Sequence, residues 1–188
     1  MSASLVSIFG LILALSELGL ALFKRANSDA SRAVDRGSLR LLWLVILLSI
    51  GGAFAAVRLE PAFGFGPQPS ILAGAIALFA CGLSLRWFSI LYLGKFFTVN
   101  VAIAEHHRLV DTGPYKYIRH PSYTGILMEF TAMGIAFCNW GSLAVMTVPT
   151  LVAFLWRIRI EEAALLRGLG SAYVDYVART KRLVPSLY

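Results

Sequence analysis

Polar residues in this chain are gathered between long apolar stretches, which sets its architecture. Ser4–Phe23, Leu39–Val57 and Ser70–Leu93 each meet the ~20 mostly apolar residues that a membrane-spanning helix needs. Two shorter stretches follow, Tyr123–Phe137 and Gly141–Trp156. Asn139-Trp140-Gly141 between them predicts a tight turn, so the pair reads as a helical hairpin. Short spans fit local bilayer thinning or a partly interfacial position. No basic segment precedes Ser4 and no small-residue cleavage site follows Phe23, so the first stretch reads as a span rather than a leader.

The chain beyond the hairpin has a different rhythm. Leu165, Leu166, Leu169, Tyr173, Tyr176 and Val177 recur at spacings of three and four, the stripe of an amphipathic helix. Gly168 and Gly170 interrupt it, which predicts two short helices, the second starting near Ser171. Such helices lie on a membrane surface with their apolar side inward. Gly168-Leu169-Gly170 lacks the preceding strand and full glycine spacing of a phosphate-binding loop. The expected fold is all-α: one membrane domain over residues 1–188, with three spans in 1–93 and a long loop, the hairpin and the C-terminal helices in 94–188.

Composition agrees. The 188 residues are 58% hydrophobic and 14% charged, with mean hydropathy +0.73; soluble domains carry about 45–50% apolar and about 25% charged residues. The positive charge lies in alternate loops. Lys24, Arg25, Arg32, Arg36 and Arg40 fill the first connection, Lys95, Arg108, Lys116 and Arg119 the third, and Arg157 to Arg182 the tail; the second has Arg58 alone and the hairpin turn none. Basic loops face the cytosol, so the N-terminus is expected outside and the C-terminus inside, in an inner or plasma membrane. The net charge of +7 is then a topology signal with attraction to anionic lipids, and argues against a nucleic-acid partner. Cys81 and Cys138 sit in apolar runs and predict neither a disulfide framework nor a zinc site.

Two segments carry candidate chemistry. Leu109 to Gly125 reads LVDTGPYKYIRHPSYTG, and Glu161-Glu162 lies just past the last apolar stretch. Together they place polar groups at one membrane face, where a polar, charged cofactor could be held. The loop Gly94 to Arg119 exceeds the 12–15 residues above which loops are usually functional or disordered, and it is rich in residues that bury. His120-Pro121 opens the fourth helix with proline at the first position; a helix start suits a carboxylate. Adjacent His106 and His107 cannot easily both ligate from one extended segment, so no metal is expected. Glu129 lies inside a span, where an ionisable group is a functional candidate by default or a protonated or arginine-paired structural one. Glu17, nearer the cytosolic end of the first span, is expected to pair with a loop arginine.

The run GPYKYIRHPSYTG followed by RIRIEEAALLRGLGSAYVDYVARTKRLVP resembles the isoprenylcysteine carboxyl methyltransferase family and the wider phospholipid-methyltransferase-like membrane enzymes, from about Phe97 onward. The resemblance implies an integral membrane bundle of about five transmembrane helices. Its cytosolic loop and C-terminal helices cap a pocket for S-adenosylmethionine, with S-adenosylhomocysteine as product. It implies that His107, Arg108, Leu109 and Val110 line the adenosine side, with Tyr115 across the turn. His120, Pro121, Ser122 and Tyr123 would meet the cofactor's amino-acid end, Glu161 a polar group from the opposite wall, and Asn100 would add a polar contact. Arg157 matches a position facing the substrate, a lipophilic methyl acceptor entering from the bilayer, with carboxyl or other O-methylation favoured. A carboxylate nucleophile needs no general base; a hydroxyl or thiol would need one, for which His120 or Glu162 are candidates. Glu129 is unexpected in a pocket built only for a prenyl chain. A membrane sterol reductase using NADPH is the alternative, but there Ser122 replaces the Asn of its HPNY-G pattern, and Ile126 rather than an acid follows Gly125. A non-enzymatic scaffold or transporter subunit leaves both polar segments unexplained.

Overall fold

The computed structural model describes residues 2–26, 37–94 and 109–186. Among these, six α-helices follow in order: α1 (Ser2–Ala26), α2 (Gly37–Leu59), α3 (Pro69–Leu93), α4 (Pro121–Ala136), α5 (Trp140–Leu169) and α6 (Ser171–Arg179). Large apolar side chains such as Leu11, Leu15, Leu44, Leu47 and Leu48 point outward, the reverse of a water-soluble bundle and the arrangement a lipid surround requires. Helices α1, α2, α3 and α5 are long and apolar enough to cross a membrane. The remaining expected span, α4, has 16 residues, about 24 Å at 1.5 Å per residue against a hydrocarbon core of about 30 Å.

The hairpin differs from expectation at both ends of α5. The turn lies earlier, at Phe137 to Asn139, with Cys138 at a φ of 53°; Trp140 and Gly141 already belong to the helix. Asn139 caps α5 by accepting from the Ser142 amide at 3.0 Å, which ends one helix and starts the next within a few residues. At the other end, α5 runs on without a break to Leu169, where a separate helix after Trp156 is expected. Glu, Ala, Leu and Arg over this stretch are strong helix formers, and leaving the bilayer changes what the side chains face rather than the backbone. Gly168 is absorbed into α5; the break falls at Gly170, whose φ of 58° favours glycine, and α6 begins at Ser171 as its stripe predicts.

Helix α3 packs along α4, α2 along α5, and α4 against α5. The α3–α4 crossing is set by two glycines: a Cβ on Gly125 would lie 2.5 Å from the Gly82 carbonyl oxygen. Asn139 also donates to the Glu60 carbonyl at 3.0 Å and Ser142 to that of Ala53 at 2.7 Å, tying the hairpin to α2. Helix α1 joins α3 through side chains. Phe9 stacks on Phe79 with centroids 4.1 Å apart, and Trp87 donates to Ser16 at 2.8 Å. Between these helices a cavity is left that opens toward the α4 N-terminus.

Candidate active site at the capped end of the bundle

The cap is assembled by pairing the chain before α4 with the chain after α6. Arg119 and His120 amides donate to the carbonyls of Lys181 (2.8 Å) and Arg182 (3.0 Å), and the Lys181 amide to that of Tyr117 (3.3 Å). Thr124 donates to the Leu183 carbonyl at 2.7 Å. The Tyr176 hydroxyl donates to the Tyr115 carbonyl at 2.7 Å, and the Tyr115 hydroxyl to that of Ser89 at 3.2 Å. Backbone groups of an irregular segment thus find partners without water. Burial pushes the phenols of Tyr115, Tyr173 and Tyr176 above their ordinary range; for Tyr115 the Glu161 carboxylate adds to the effect. All three stay protonated, and Tyr115 and Tyr176 serve as donors.

The adjacent carboxylates part ways. Glu162 is held by Arg119 Nε at 2.8 Å and Arg182 Nε at 2.9 Å, with His120 Nε2 3.4 Å away. A carboxylate shared by two guanidiniums is a poor proton acceptor, so Glu162 is a clamp rather than the base its sequence position suggests. Glu161 instead accepts from the Tyr123 hydroxyl at 2.8 Å, with His120 Nδ1 at 3.9 Å. Tyr123 in turn accepts from Arg157 Nε at 3.3 Å, and Arg157 Nη1 donates to Ser38 at 2.6 Å. A polar chain therefore runs from α2 to α5 and α4: Ser38, Arg157, Tyr123, Glu161. Arg157, only 2% exposed, is buried with these partners satisfied.

One cavity of about 520 Å³ brings most of the sequence-predicted residues together. Leu109, Val110 and Tyr115 line it from the loop, and His120, Ser122 and Tyr123 from the start of α4; Arg157 and Glu161 line it from α5. Pro121 opens α4 behind this wall and is not part of it. Asn100, His107 and Arg108 lie outside the described residues. The α4 start has fewer free amides than expected: Pro121 has none, and the His120 carbonyl accepts those of Tyr123 and Thr124 at 3.0 and 3.1 Å, which leaves that of Ser122. Below the cap the cavity continues between apolar side chains, among them Leu13, Leu42, Ile46, Phe130 and Met133.

Several wall residues carry no sequence signal of their role. Ser38 is an ordinary helix-start residue. Tyr173 reads as an interfacial aromatic, yet it lines the cavity, and its buried hydroxyl has no hydrogen-bond partner among the described residues. Among the described residues, Glu17 pairs with Arg86 of α3; Arg32 and Arg36 of the first loop lie outside them. Arg86, a lone cation in an apolar run, was the available signal, since such a group needs a partner. Glu129 is fully buried against α3, and among the described residues neither oxygen has a hydrogen-bond partner.

A model of the isoprenylcysteine carboxyl methyltransferase family matches residues 75–167, which hold most of α3, all of α4 and nearly all of α5. The solved structure of the eukaryotic intramembrane Ras methyltransferase, an isoprenylcysteine carboxyl methyltransferase, superposes with a TM-score of 0.65 at 26% identity, covering 82% of this chain and 55% of that one. The chain belongs to the isoprenylcysteine carboxyl methyltransferase family. Protein-S-isoprenylcysteine O-methyltransferase B of Arabidopsis thaliana is 34% identical over 58% of this chain and 57% of its own length. The fission yeast Schizosaccharomyces pombe protein-S-isoprenylcysteine O-methyltransferase is 32% identical over 76% of this chain and 61% of its own. The chain thus spans less than two thirds of the length of these relatives. The family match takes in Arg86, His120, Tyr123, Arg157 and Glu161. It leaves out α1 and α2, with Glu17 and Ser38, and the C-terminal segment that seals the cap.

Proposed function

We propose that the chain is an integral membrane methyltransferase that uses S-adenosylmethionine to methylate an oxygen of a lipophilic acceptor. The observation that carries this reading is a cavity shared by both ends of the site, lined by Glu161, Tyr123, Arg157 and Tyr173 at the cap and by apolar side chains within the bundle. A water-soluble, charged cofactor and a bilayer-borne acceptor can meet in it. The basic residues of the first and third connections and of the tail support a cytosolic C-terminus and an outside N-terminus, in a plasma or inner membrane.

The donor set fits the cofactor. Glu161 is an acid for its ammonium or ribose hydroxyls, Tyr173 a buried hydroxyl without a partner among the described residues, and Leu109, Val110 and Tyr115 an apolar slot with backbone groups. His120, Ser122 and Tyr123 would hold its amino-acid end, with Pro121 fixing the helix start behind them. His107, Arg108 and Asn100, which lie outside the described residues, are assigned to the cofactor by the family resemblance alone. When bound, S-adenosylmethionine supplies an electrophilic methyl group on a sulfonium. The protein's part is alignment and exclusion of water, which together can supply several kcal/mol of the barrier. Arg157 is the positioning group: Ser38 and Tyr123 hold its guanidinium where it can meet the acceptor's oxygen by charge-assisted hydrogen bonds.

Calorimetric titration of the detergent-purified protein with S-adenosylhomocysteine, alongside NADPH, tests the reading. Saturable binding of the first alone is expected. Binding of NADPH alone, or of neither by a folded sample, overturns it.

A further inference from the structure

Most tyrosine hydroxyls on the cavity wall are committed to the fold. Tyr123 donates to Glu161, Tyr115 to the Ser89 carbonyl and Tyr176 to the Tyr115 carbonyl. Tyr173 lines the same cavity and is 3% exposed, yet its hydroxyl has no hydrogen-bond partner among the described residues. A buried hydroxyl without a partner is costly, and a phenylalanine would fill the same place without that cost. The hydroxyl is therefore suited to a partner that arrives with a ligand.

The fold fixes where that partner must lie. Gly170 turns the chain with a φ of 58°, and the Tyr173 amide donates back to the Gly170 carbonyl at 3.1 Å, which sets Tyr173 in the first turn of α6. Tyr176, three residues on and so on the same face, is tied to the loop through the Tyr115 carbonyl. Just beyond α6, Arg119 donates to the Thr180 carbonyl at 2.5 Å. Tyr173 is thus held near the acidic pair of α5: Glu162, Arg119 and Glu161 are the charged groups that act on it. Glu162 is already taken by Arg119 and Arg182. Of the two carboxylates it is Glu161 that lines the cavity, and its bond from Tyr123 uses one oxygen.

The pattern of donors and acceptors selects the ligand group. Glu161 can only accept, and the Tyr173 hydroxyl must donate its proton to be satisfied. An ammonium offers Tyr173 no acceptor and leaves that proton unmet. A carboxylate would accept from Tyr173 but stand beside Glu161 as a second negative charge, which is disfavoured in a buried site. A neutral hydroxyl does both: it accepts from Tyr173 and donates to Glu161. In S-adenosylmethionine such hydroxyls belong to the ribose. The adenine edge also pairs donor with acceptor, but the slot of Leu109, Val110 and Tyr115 is assigned to it.

We propose that Tyr173 and Glu161 together read the ribose hydroxyls of the cofactor, which makes α6 part of the binding site rather than a cover over it. The inference rests on the methyltransferase reading and fixes which cofactor group Glu161 meets. Tyr173 lies beyond the segment that the family model matches.

The test is calorimetric binding of S-adenosylhomocysteine to the full chain in detergent, beside its analogues lacking the ribose 2′-hydroxyl, the ribose 3′-hydroxyl or the amino group. The wild type should bind one of the two deoxy analogues at least about tenfold more weakly, a loss of ~1.4 kcal/mol. In Tyr173→Phe, S-adenosylhomocysteine should bind about tenfold more weakly, and the penalty for that deoxy analogue should shrink at least about threefold, the mark of a direct pair. The ligand-free variant should melt no lower than the wild type. Unchanged affinity of Tyr173→Phe overturns the proposal, as does wild-type indifference to both deoxy analogues. So does a Tyr173→Phe loss that disappears with the analogue lacking the amino group, which would assign the hydroxyl to the ammonium. A lower melting temperature would mean that the hydroxyl has a partner in the fold, and overturns it too. The wild-type series decides by itself if the variant cannot be purified. No binding of S-adenosylhomocysteine by a folded wild type overturns the methyltransferase reading and this inference with it, whereas binding that ignores the ribose overturns this inference alone.

Discussion

The chain of Ser38, Arg157, Tyr123 and Glu161 gives each residue a separable consequence. Glu161 is the acid at the cap end, so Glu161→Gln should weaken S-adenosylhomocysteine at least about tenfold, within the 1.5–3 kcal/mol typical of hydrogen bonds to charged groups, with normal expression and folding in detergent. Unchanged affinity would remove this residue from the cofactor site. On the proposed reading Arg157 positions the acceptor, and Arg157→Ala should keep S-adenosylhomocysteine binding within about threefold, under 1 kcal/mol, while turnover is lost; a parallel fall in cofactor affinity would reassign it. The acid, the HPSY segment and the arginine were legible because each stands out against an apolar background within a few residues. Ser38 was not: its bond to Arg157 spans 119 residues of sequence, and a serine at a helix start carries no pattern that points across a bundle. The clamping of Glu162 was not legible for a related reason. Adjacency to Glu161 shows in the sequence, whereas capture by Arg119 and Arg182 depends on the C-terminal segment folding back.

At the scale of elements, the α3–α4 crossing positions the site, since it sets His120 to Tyr123 against the end of α3. It depends on Gly82 and Gly125 having no side chains. Gly125→Ala would place a methyl 2.5 Å from the Gly82 carbonyl oxygen and 2.8 Å from Arg86 backbone and Cβ atoms. Overpacking of this kind costs about 1–3 kcal/mol. Gly74 of α3 has nothing within 4 Å of its would-be Cβ, and alanine there should be neutral or stabilising by up to about 1 kcal/mol. Thermal melts of the two variants in detergent should therefore move apart, and equal melting temperatures would show that the crossing is not tight. The helices themselves were legible from hydropathy and their ends only in part. The break at Gly170 follows from its left-handed backbone. The absence of a break near Trp156 does not follow from hydropathy, because a helix leaving the bilayer loses its apolar signal and keeps its propensity. The true position of the hairpin turn hinged on Asn139 acting as a cap rather than as the first turn residue.

For the whole molecule, the site exists only because distant segments close over it. The loop before α4 makes hydrogen bonds to the chain after α6, and α6 reaches back through Tyr176 to Tyr115. Hydropathy reports none of this: residues 180–183 carry no periodicity, and their role lies in backbone pairing with residues 117–120. The bundle beneath is held by other contacts, chiefly α3 on α4 and α2 on α5. The two layers should therefore be separable. Removing residues 180–188 takes away the carbonyls that hold the Arg119 and His120 amides, one of the two guanidiniums on Glu162, and the acceptor for Thr124. The helix start that carries His120, Ser122 and Tyr123 would then lose its outer wall. The truncated protein should keep its helical circular dichroism while its affinity for S-adenosylhomocysteine falls by at least about tenfold, the loss of ~1.4 kcal/mol or more. Arg182→Ala, which removes one clamp and leaves the backbone pairing, should give a smaller loss. Wild-type affinity in the truncated protein would mean that the loop and α5 hold the cofactor alone. Loss of helicity in parallel with binding would mean that the C-terminal segment supports the bundle as well as the cap.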